Sequence, residues 1–149
     1  MVPDGGMSGS GTTAMKMSAL LAGLISMLIW GCTADRPVAD CDLSRGVCMK
    51  ELSHYKVVFY TEPAPPEALK ETVFNLEITP PVEAERIVME LTMPGMYMGE
   101  NTLELRKTGG GKYKGKGIIV KCPSGSTLWQ ADFLIPETGR VRYRFHVIY

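Results

Sequence analysis

The sequence predicts an all-β protein, an antiparallel immunoglobulin-like β-sandwich of about seven strands. Short runs rich in Val, Ile, Phe and Tyr alternate apolar and polar residues, and Gly and Pro residues separate one run from the next. No long amphipathic helical pattern interrupts them. About seven short strands at this spacing are typical of a two-layer sandwich.

The predicted strands follow one another to the last residue. In chain order they cover residues 55–61, 74–78, 87–93, 103–105, 113–122, 129–135 and 141–149. The run Gly109-Gly110-Gly111 predicts the turn before the fifth strand, and Pro123 with Gly125 predicts the turn after it. The prolines between residues 63 and 81 lie in connections, where a missing N–H costs no ladder bond. One short segment, 67–71, is predicted to form a turn of helix.

The last two strands show the two faces of the sandwich most clearly. In the last strand Val141, Tyr143 and Phe145 share one face, whereas Arg142, Arg144 and His146 share the other. Trp129, in the strand before, is predicted to be the core aromatic residue.

The N-terminal segment indicates export. Lys16 precedes an uncharged apolar run, residues 18–30, which is shorter than the roughly 20 residues that cross a bilayer and ends beside Gly31-Cys32. This resembles a bacterial lipoprotein signal, in which lipid is attached to the cysteine and the chain is cut just before it. The alternative is an ordinary signal peptide or short anchor with an incidental cysteine.

The domain prediction follows from that resemblance. Residues 1–31 are predicted to be the signal peptide, with translation starting at Met1 or at Met15, and residues 32–50 a lipidated leader. Residues 51–149 form the immunoglobulin-like domain. The predicted location is the bacterial cell envelope, with lipid on Cys32 in the membrane and the domain facing the periplasm or the cell exterior. Thr33, in place of Asp after the cysteine, favours the outer membrane.

Charge is segregated along the chain. Residues 51–105 hold ten acidic and three basic residues, whereas residues 106–149 hold nine basic and two acidic ones. This pattern predicts either ion pairing between complementary strands or two oppositely charged faces. Nucleic acid is not an expected partner, because no basic stretch is interleaved with stacking aromatic residues.

Three cysteines remain once Cys32 carries lipid. Cys41 and Cys48 are predicted to form a disulfide, which closes a short loop and contributes about 2.5 kcal/mol in the chain-entropy model. Cys122 is then a thiol, either buried in the core or part of a soft metal site. The alternative pairs Cys48 with Cys122 and leaves Cys41 unpaired.

The segment after the third strand, 93–99, is rich in methionine. Met93, Met96 and Met98 surround a Pro-Gly turn that lets their thioethers converge, and thioethers favour Cu(I) over hard cations. Cys122 is a candidate fourth ligand. The alternative is that these side chains fill gaps in the core or offer an adaptable interaction surface.

Together these motifs resemble the YtkA-like domain family, which is related to the periplasmic domain of FixH. The resemblance rests on the segment 93–99, then Asn101, Leu103, Tyr113-Lys114-Gly115, Gly125 and Trp129. It implies an immunoglobulin-like sandwich outside a bacterial membrane, linked to copper handling or to maturation of copper-dependent or cation-transporting membrane complexes. The chain departs from some relatives in having no histidine in or just after the methionine segment, which argues against a Cu(II) site. Its predicted anchor is also a lipid rather than a helix.

The functional prediction is a lipid-anchored copper-binding or copper-delivery accessory protein that acts on a membrane complex or a copper protein. The alternative is a metal-free interaction module that docks through the methionine segment and the basic hairpin of Lys112, Lys114 and Lys116. No catalytic arrangement and no phosphate-binding loop is recognisable, so the sequence does not predict an enzyme. His54 and His146 are predicted to be solvated.

Overall fold

The computed structural model describes residues 36–149, which form eight antiparallel strands and one 3-10 turn, Leu43–Arg45. The predicted signal peptide, Cys32 and its lipid lie outside the described residues. The strands are β1 Cys48–Leu52, β2 Tyr55–Glu62, β3 Glu71–Thr79, β4 Arg86–Thr92, β5 Thr102–Gly109, β6 Lys112–Ile118, β7 Leu128–Ile135 and β8 Gly139–His146. Within residues 36–149 no helix has the length and apolar character that crossing a bilayer requires.

The eight strands form one nearly closed sheet in the order β1-β2-β3-β6-β5-β4-β7-β8. The runs β2-β3-β6-β5 and β4-β7-β8 reproduce the ABED and CFG strand orders of a constant-type immunoglobulin domain. Hydrogen bonds between β4 and β5 join the two runs, and β1 contacts β8 at the opposite edge. The predicted all-β antiparallel fold is therefore confirmed.

Apolar side chains from both runs meet in the interior. Phe59 of β2 packs against Phe133 of β7 and against Tyr143 and Phe145 of β8, with ring centroids 5.1, 5.2 and 5.7 Å apart. The Tyr143 hydroxyl donates a hydrogen bond to the Val57 carbonyl oxygen at 2.7 Å, so its polar end is satisfied inside the core. Trp129 is fully buried, as predicted for the core aromatic residue.

The strand β1 is an addition to the seven predicted strands. It begins at Cys48 and therefore crosses the predicted boundary between leader and domain at residue 51. Its residues 48–50 belong to the predicted leader, whereas Glu51 and Leu52 belong to the predicted domain. An antiparallel ladder with β2 holds this strand, and Lys50 also joins it to β8. Lys50 Nζ binds Asp40 Oδ2 at 2.7 Å and the Arg142 carbonyl oxygen of β8.

Two predicted strands are too long, and the predicted helical turn is wrong. The strand β6 ends at Ile118 rather than at residue 122, and β8 ends at His146 rather than at residue 149. Beyond Ile118 the chain leaves the sheet, because the Ile119 carbonyl oxygen accepts a hydrogen bond from Leu69 N. Residues 67–71 form no helix, since Leu69 has a positive φ of 62°.

The disulfide prediction is confirmed. Cys41 and Cys48 are bonded, with Cα atoms 5.5 Å apart, and Cys122 is a free, buried cysteine. The bridge joins the start of β1 to a leader segment in which the amides of Asp40 and Cys41 donate to the Arg144 carbonyl oxygen of β8. Residues before β1 therefore cover the gap between the two edge strands.

The segregated charges pair across neighbouring strands. Lys116 of β6 lies 2.9 Å from Glu71 of β3, and Lys112 lies 3.6 Å from Glu77 of the same strand. These pairs are exposed, so each contributes at most about 1 kcal/mol to stability. The charge pattern thus reflects complementary strands rather than two oppositely charged faces.

We expect Phe59→Ala to lower the free energy of unfolding by about 3–5 kcal/mol, because the cavity would lie between the two strand runs. Val58→Ala is the matched control, since Val58 is only half-buried and points to the opposite side of β2; its loss should stay below about 1 kcal/mol. Urea denaturation followed by circular dichroism measures both values. Similar losses in the two variants would contradict the packing described.

Candidate metal centre

The methionine segment begins with a tight turn directly after β4. Met96 N donates to the Met93 carbonyl oxygen at 3.2 Å, and the two residues form an isolated antiparallel bridge. Pro94 fixes the first corner of this turn, whereas Gly95 takes a positive φ of 80° at the second corner, which glycine adopts without strain. The turn directs the chain across the end of the sandwich.

A second connection, between β6 and β7, lies at the same end. Its turn is closed by a hydrogen bond from Gly125 N to the Cys122 carbonyl oxygen at 3.0 Å. The hydroxyl of Tyr149 holds this connection: it accepts from Cys122 N and from Trp129 Nε1, each at 3.2 Å, and donates to the Ser126 carbonyl oxygen. The last residue of the chain therefore fixes the backbone of Cys122 against the core.

The two connections bring two sulfur atoms together. Cys122 Sγ lies 3.5 Å from Met96 Sδ, within range of a weak S–H donor and a thioether acceptor. Cys122 is 1% exposed and Met96 is 40% exposed. The pair therefore has one sulfur residue that is shielded and one that is accessible from solvent.

The Cys122 thiol has a polar neighbour as well as a soft one. Ser124 Oγ lies 3.0 Å from Cys122 Sγ, and this hydrogen bond lowers the pKa of the thiol, an effect that burial partly opposes. Backbone hydrogen bonds from residues 124–126 act in the same direction. Since the thiolate is the nucleophile and the metal ligand, the turn prepares Cys122 for either role.

The other predicted thioether ligands lie in different environments. Met93 is 4% exposed and belongs to the core, as does Met89. Met98 is half-buried, packs against the core and lines a surface cavity of about 370 Å³ together with Met96 and Tyr97. Among the predicted ligands, Met96 and Cys122 are thus the two whose sulfur atoms the structure shows in contact.

The predicted strand over 113–122 puts Cys122 on the same face as Ile118 and Val120, and that placement is wrong. Ile118 and Val120 are exposed, whereas Ile119 and Cys122 are buried outside the sheet. Sequence reasoning also missed Ser124 and Tyr149, whose positions depend on the path of the chain after each strand ends. Pro123-Ser124-Gly125 signalled a turn, but no sequence signal indicated that Tyr149 would bind it.

Clusters of the commonest metal-binding side chains are not formed by the described part of the chain. Residues 36–149 contain no group of three or more His, Cys, Asp or Glu side chains arranged to hold a metal ion. His54 and His146 are exposed, and His146 Nδ1 bonds Thr127 Oγ1 at 2.9 Å. A larger cavity of about 550 Å³ lies beside the disulfide, where the Cys41 sulfur is already oxidised.

Comparison of the chain with protein-family models, with curated proteins and with solved structures finds no match. The resemblance to the YtkA-like domain family therefore rests on the sequence motifs alone.

We expect Ser124→Ala to raise the pKa of Cys122, because the thiolate loses the hydroxyl that stabilises it. The midpoint of the pH–rate profile for alkylation of Cys122 should then move to higher pH. Ser126→Ala is the control: it keeps the carbonyl oxygen that accepts from Tyr149 and should leave the midpoint in place. An unchanged midpoint in Ser124→Ala would show that the hydroxyl does not tune the thiol.

Proposed function

We propose that this chain is a lipid-anchored, extracytoplasmic Cu(I)-binding accessory domain that delivers copper to a membrane complex or a copper protein. The observation that carries the proposal is the 3.5 Å contact between Cys122 Sγ and Met96 Sδ. A thiolate and a thioether are both soft ligands, and soft ligands select Cu(I) over hard divalent cations.

The spacing of the sulfur pair suits a shared ion. Two sulfurs that each lie about 2.3 Å from one metal, the length of a metal–thiolate bond, are about 3.8 Å apart in a tetrahedral site. The observed separation is close to that value, so binding requires only small side-chain adjustments. Met98, which lines a surface cavity together with Met96, is the candidate for a third ligand, whereas Met93 is buried in the core.

Unequal exposure of the two sulfur ligands suits delivery rather than permanent storage. Cys122 is shielded by its turn, whereas Met96 is accessible on the loop surface. A partner's sulfur can therefore approach the ion from the side of Met96 and displace that thioether first. The fold supports a stable platform for this exchange, because both connections end on core strands.

The location in the cell envelope is proposed from the sequence of residues 16–32. It agrees with the resemblance to the YtkA-like family and with the disulfide between Cys41 and Cys48, since disulfides persist in oxidising compartments. A lipid on Cys32 would tether the domain while leaving it free to meet a membrane partner.

We expect Cys122→Ser to weaken Cu(I) binding by more than about 100-fold. Loss of a residue that only orients a metal ligand costs up to about 100-fold in affinity, and loss of a direct ligand should cost more. Met96→Leu should also weaken it, and the triple change of Met93, Met96 and Met98 to Leu should abolish it. Each Met→Leu change roughly conserves volume, so each should cost less than about 1.5 kcal/mol of stability. Anaerobic competition titration with a Cu(I) chelator measures the affinities.

The matched control for this titration is Met49→Leu. Met49 is exposed on the outer face of β1, away from the methionine segment, and its replacement should leave the affinity unchanged. Equal affinity in the wild-type protein and the triple Leu variant would contradict the copper site.

The second candidate function is a metal-free interaction module. Tyr97, which is 86% exposed beside Met96, favours it, because exposed aromatic and methionine side chains are typical of adaptable contact surfaces. The basic hairpin contributes less than the sequence suggested, since Lys112 and Lys116 are already paired with glutamates of β3. Loss of partner binding in the triple Leu variant, without any effect of copper, would identify this function.

Mass spectrometry of protein extracted from membranes is expected to show an acylated Cys32 at the N-terminus and no upstream residues. Cys32→Ala should release the domain or block its processing, and the far-UV circular dichroism of the domain should not change. Recovery of native protein as an unlipidated, soluble form would refute the anchor.

A further inference from the structure

The end of the sandwich that carries Cys122 also exposes several large apolar side chains. The described residues have nine exposed large apolar side chains, and six of them lie at this end in the segments that follow β2, β4, β6 and β8 or at the last residue of β6. We call these six the apolar end: Leu69, Met96, Tyr97, Ile118, Val120 and Ile148. Exposed apolar side chains that cluster in this way mark interaction sites more often than scattered ones do.

Backbone contacts show that the apolar end is continuous. Ala68 N donates to the Ile148 carbonyl oxygen, and Leu69 N donates to the Ile119 carbonyl oxygen, both at 2.8 Å. Leu69 therefore lies between Ile148 on one side and Ile118 and Val120, the exposed neighbours of Ile119, on the other. Cys122, which is buried two residues after Val120, contacts Met96, and so places Met96 and its neighbour Tyr97 beside the same connection.

We propose that the apolar end rests on the lipid bilayer, so that the domain stands on the membrane with its sulfur pair at the membrane surface. This inference rests on the proposed lipid anchor. It deepens the proposed function, because it restricts copper exchange to partners that are embedded in the same membrane.

The position of the tether argues for a bilayer rather than another occupant. The amide of Asp40 is bound to Arg144 of β8, and Ala39 lines the same cleft as His146 and Ile148. Residues 33–39 therefore connect the proposed lipid to this end of the domain, with a reach of about 28 Å from Cys32 to Asp40 at full extension. Ile148 lies four residues beyond Arg144, or about 13 Å along the chain, and so within that reach.

The chemistry of the apolar end also fits a membrane interface. Tyr97 is an aromatic residue with a polar tip, the type that is enriched at the level of lipid headgroups. Lys121 lies beside Val120 with its Nζ 5.6 Å from the ring centroid of Tyr149, so a cation is available for lipid phosphates. Apolar side chains at the interface add to the membrane binding that the proposed lipid supplies.

Paramagnetic relaxation tests the orientation. The lipidated protein is placed in nanodiscs that contain a gadolinium-chelating lipid, and broadening of backbone amide signals is recorded by NMR. We expect the amides of Leu69, Tyr97 and Val120 to broaden at least about threefold more than those of Gly110 and Gly111, which lie in the β5–β6 turn at the other end. Equal broadening at both ends, or stronger broadening at Gly110, would overturn the proposal.

Substitutions identify the side chains responsible. The triple variant Leu69→Asn, Ile118→Ser and Ile148→Ser should equalise the broadening; Asn suits position 69 because it tolerates the positive φ there. Met49→Ser, on the outer face of β1, removes an exposed apolar side chain elsewhere and should keep the difference between the ends. Retention of the difference in the triple variant would overturn the role of the apolar end.

Failure of the anchor and failure of the orientation are distinguishable. If mass spectrometry shows no lipid on Cys32, the anchor fails, and sedimentation of the Cys32→Ala protein with vesicles of mixed zwitterionic and anionic lipids then tests the apolar end alone. Vesicle binding that the triple variant loses would support the surface, and no binding would overturn it. Dimerisation of Cys32→Ala in solution through the same residues would assign the surface to a second copy instead.

Discussion

Contact between the Phe59 ring and the aromatic rings of β7 and β8 is the interaction on which the sandwich depends. It joins the two strand runs, which share backbone hydrogen bonds only through β4 and β5. A sheet is stabilised when its apolar face is buried against another layer. Here each strand run buries the apolar face of the other. Once the runs are fixed face to face, the strand ends and their connections are fixed as well.

The candidate metal centre is a consequence of where those strands end. The strand β4 ends and β7 begins at one end of the sandwich, so the methionine segment and the Cys122 connection meet there. Tyr149 then binds the Cys122 backbone and the Trp129 indole, which connects the turn to the core. Because the Cys122 turn is held against the core, its thiol is shielded. Because the methionine segment is partly exposed, the Met96 thioether is accessible.

The fold was predictable because apolar and polar residues alternate along a strand that has one buried face. This signal identified seven strands, but it missed β1, in which Lys50 crosses the sheet edge to bind β8 rather than packing in the core. The same signal failed past Ile118, because residues 119–122 lie outside the ladder, where the Ile119 carbonyl oxygen binds the segment before β3. Alternation alone does not show where a ladder ends.

The candidate site was predictable in its residues and not in its contacts. Soft-ligand chemistry singled out Met96 and Cys122 from the sequence, and the short loop between the other two cysteines predicted their disulfide. The contributions of Ser124 and Tyr149 depend on tertiary contacts that have no local pattern. The burial of Met93, in contrast, follows from the alternation of residues 87–93, which places it at the end of an inward-facing row.

X-ray absorption at the copper edge of the Cu(I)-loaded protein tests the central claim most directly. The account predicts a first shell of sulfur atoms at about 2.3 Å, the length of a metal–thiolate bond, with fewer sulfurs in Cys122→Ser. A first shell composed only of nitrogen or oxygen, or a sulfur shell that Cys122→Ser leaves unchanged, would contradict it.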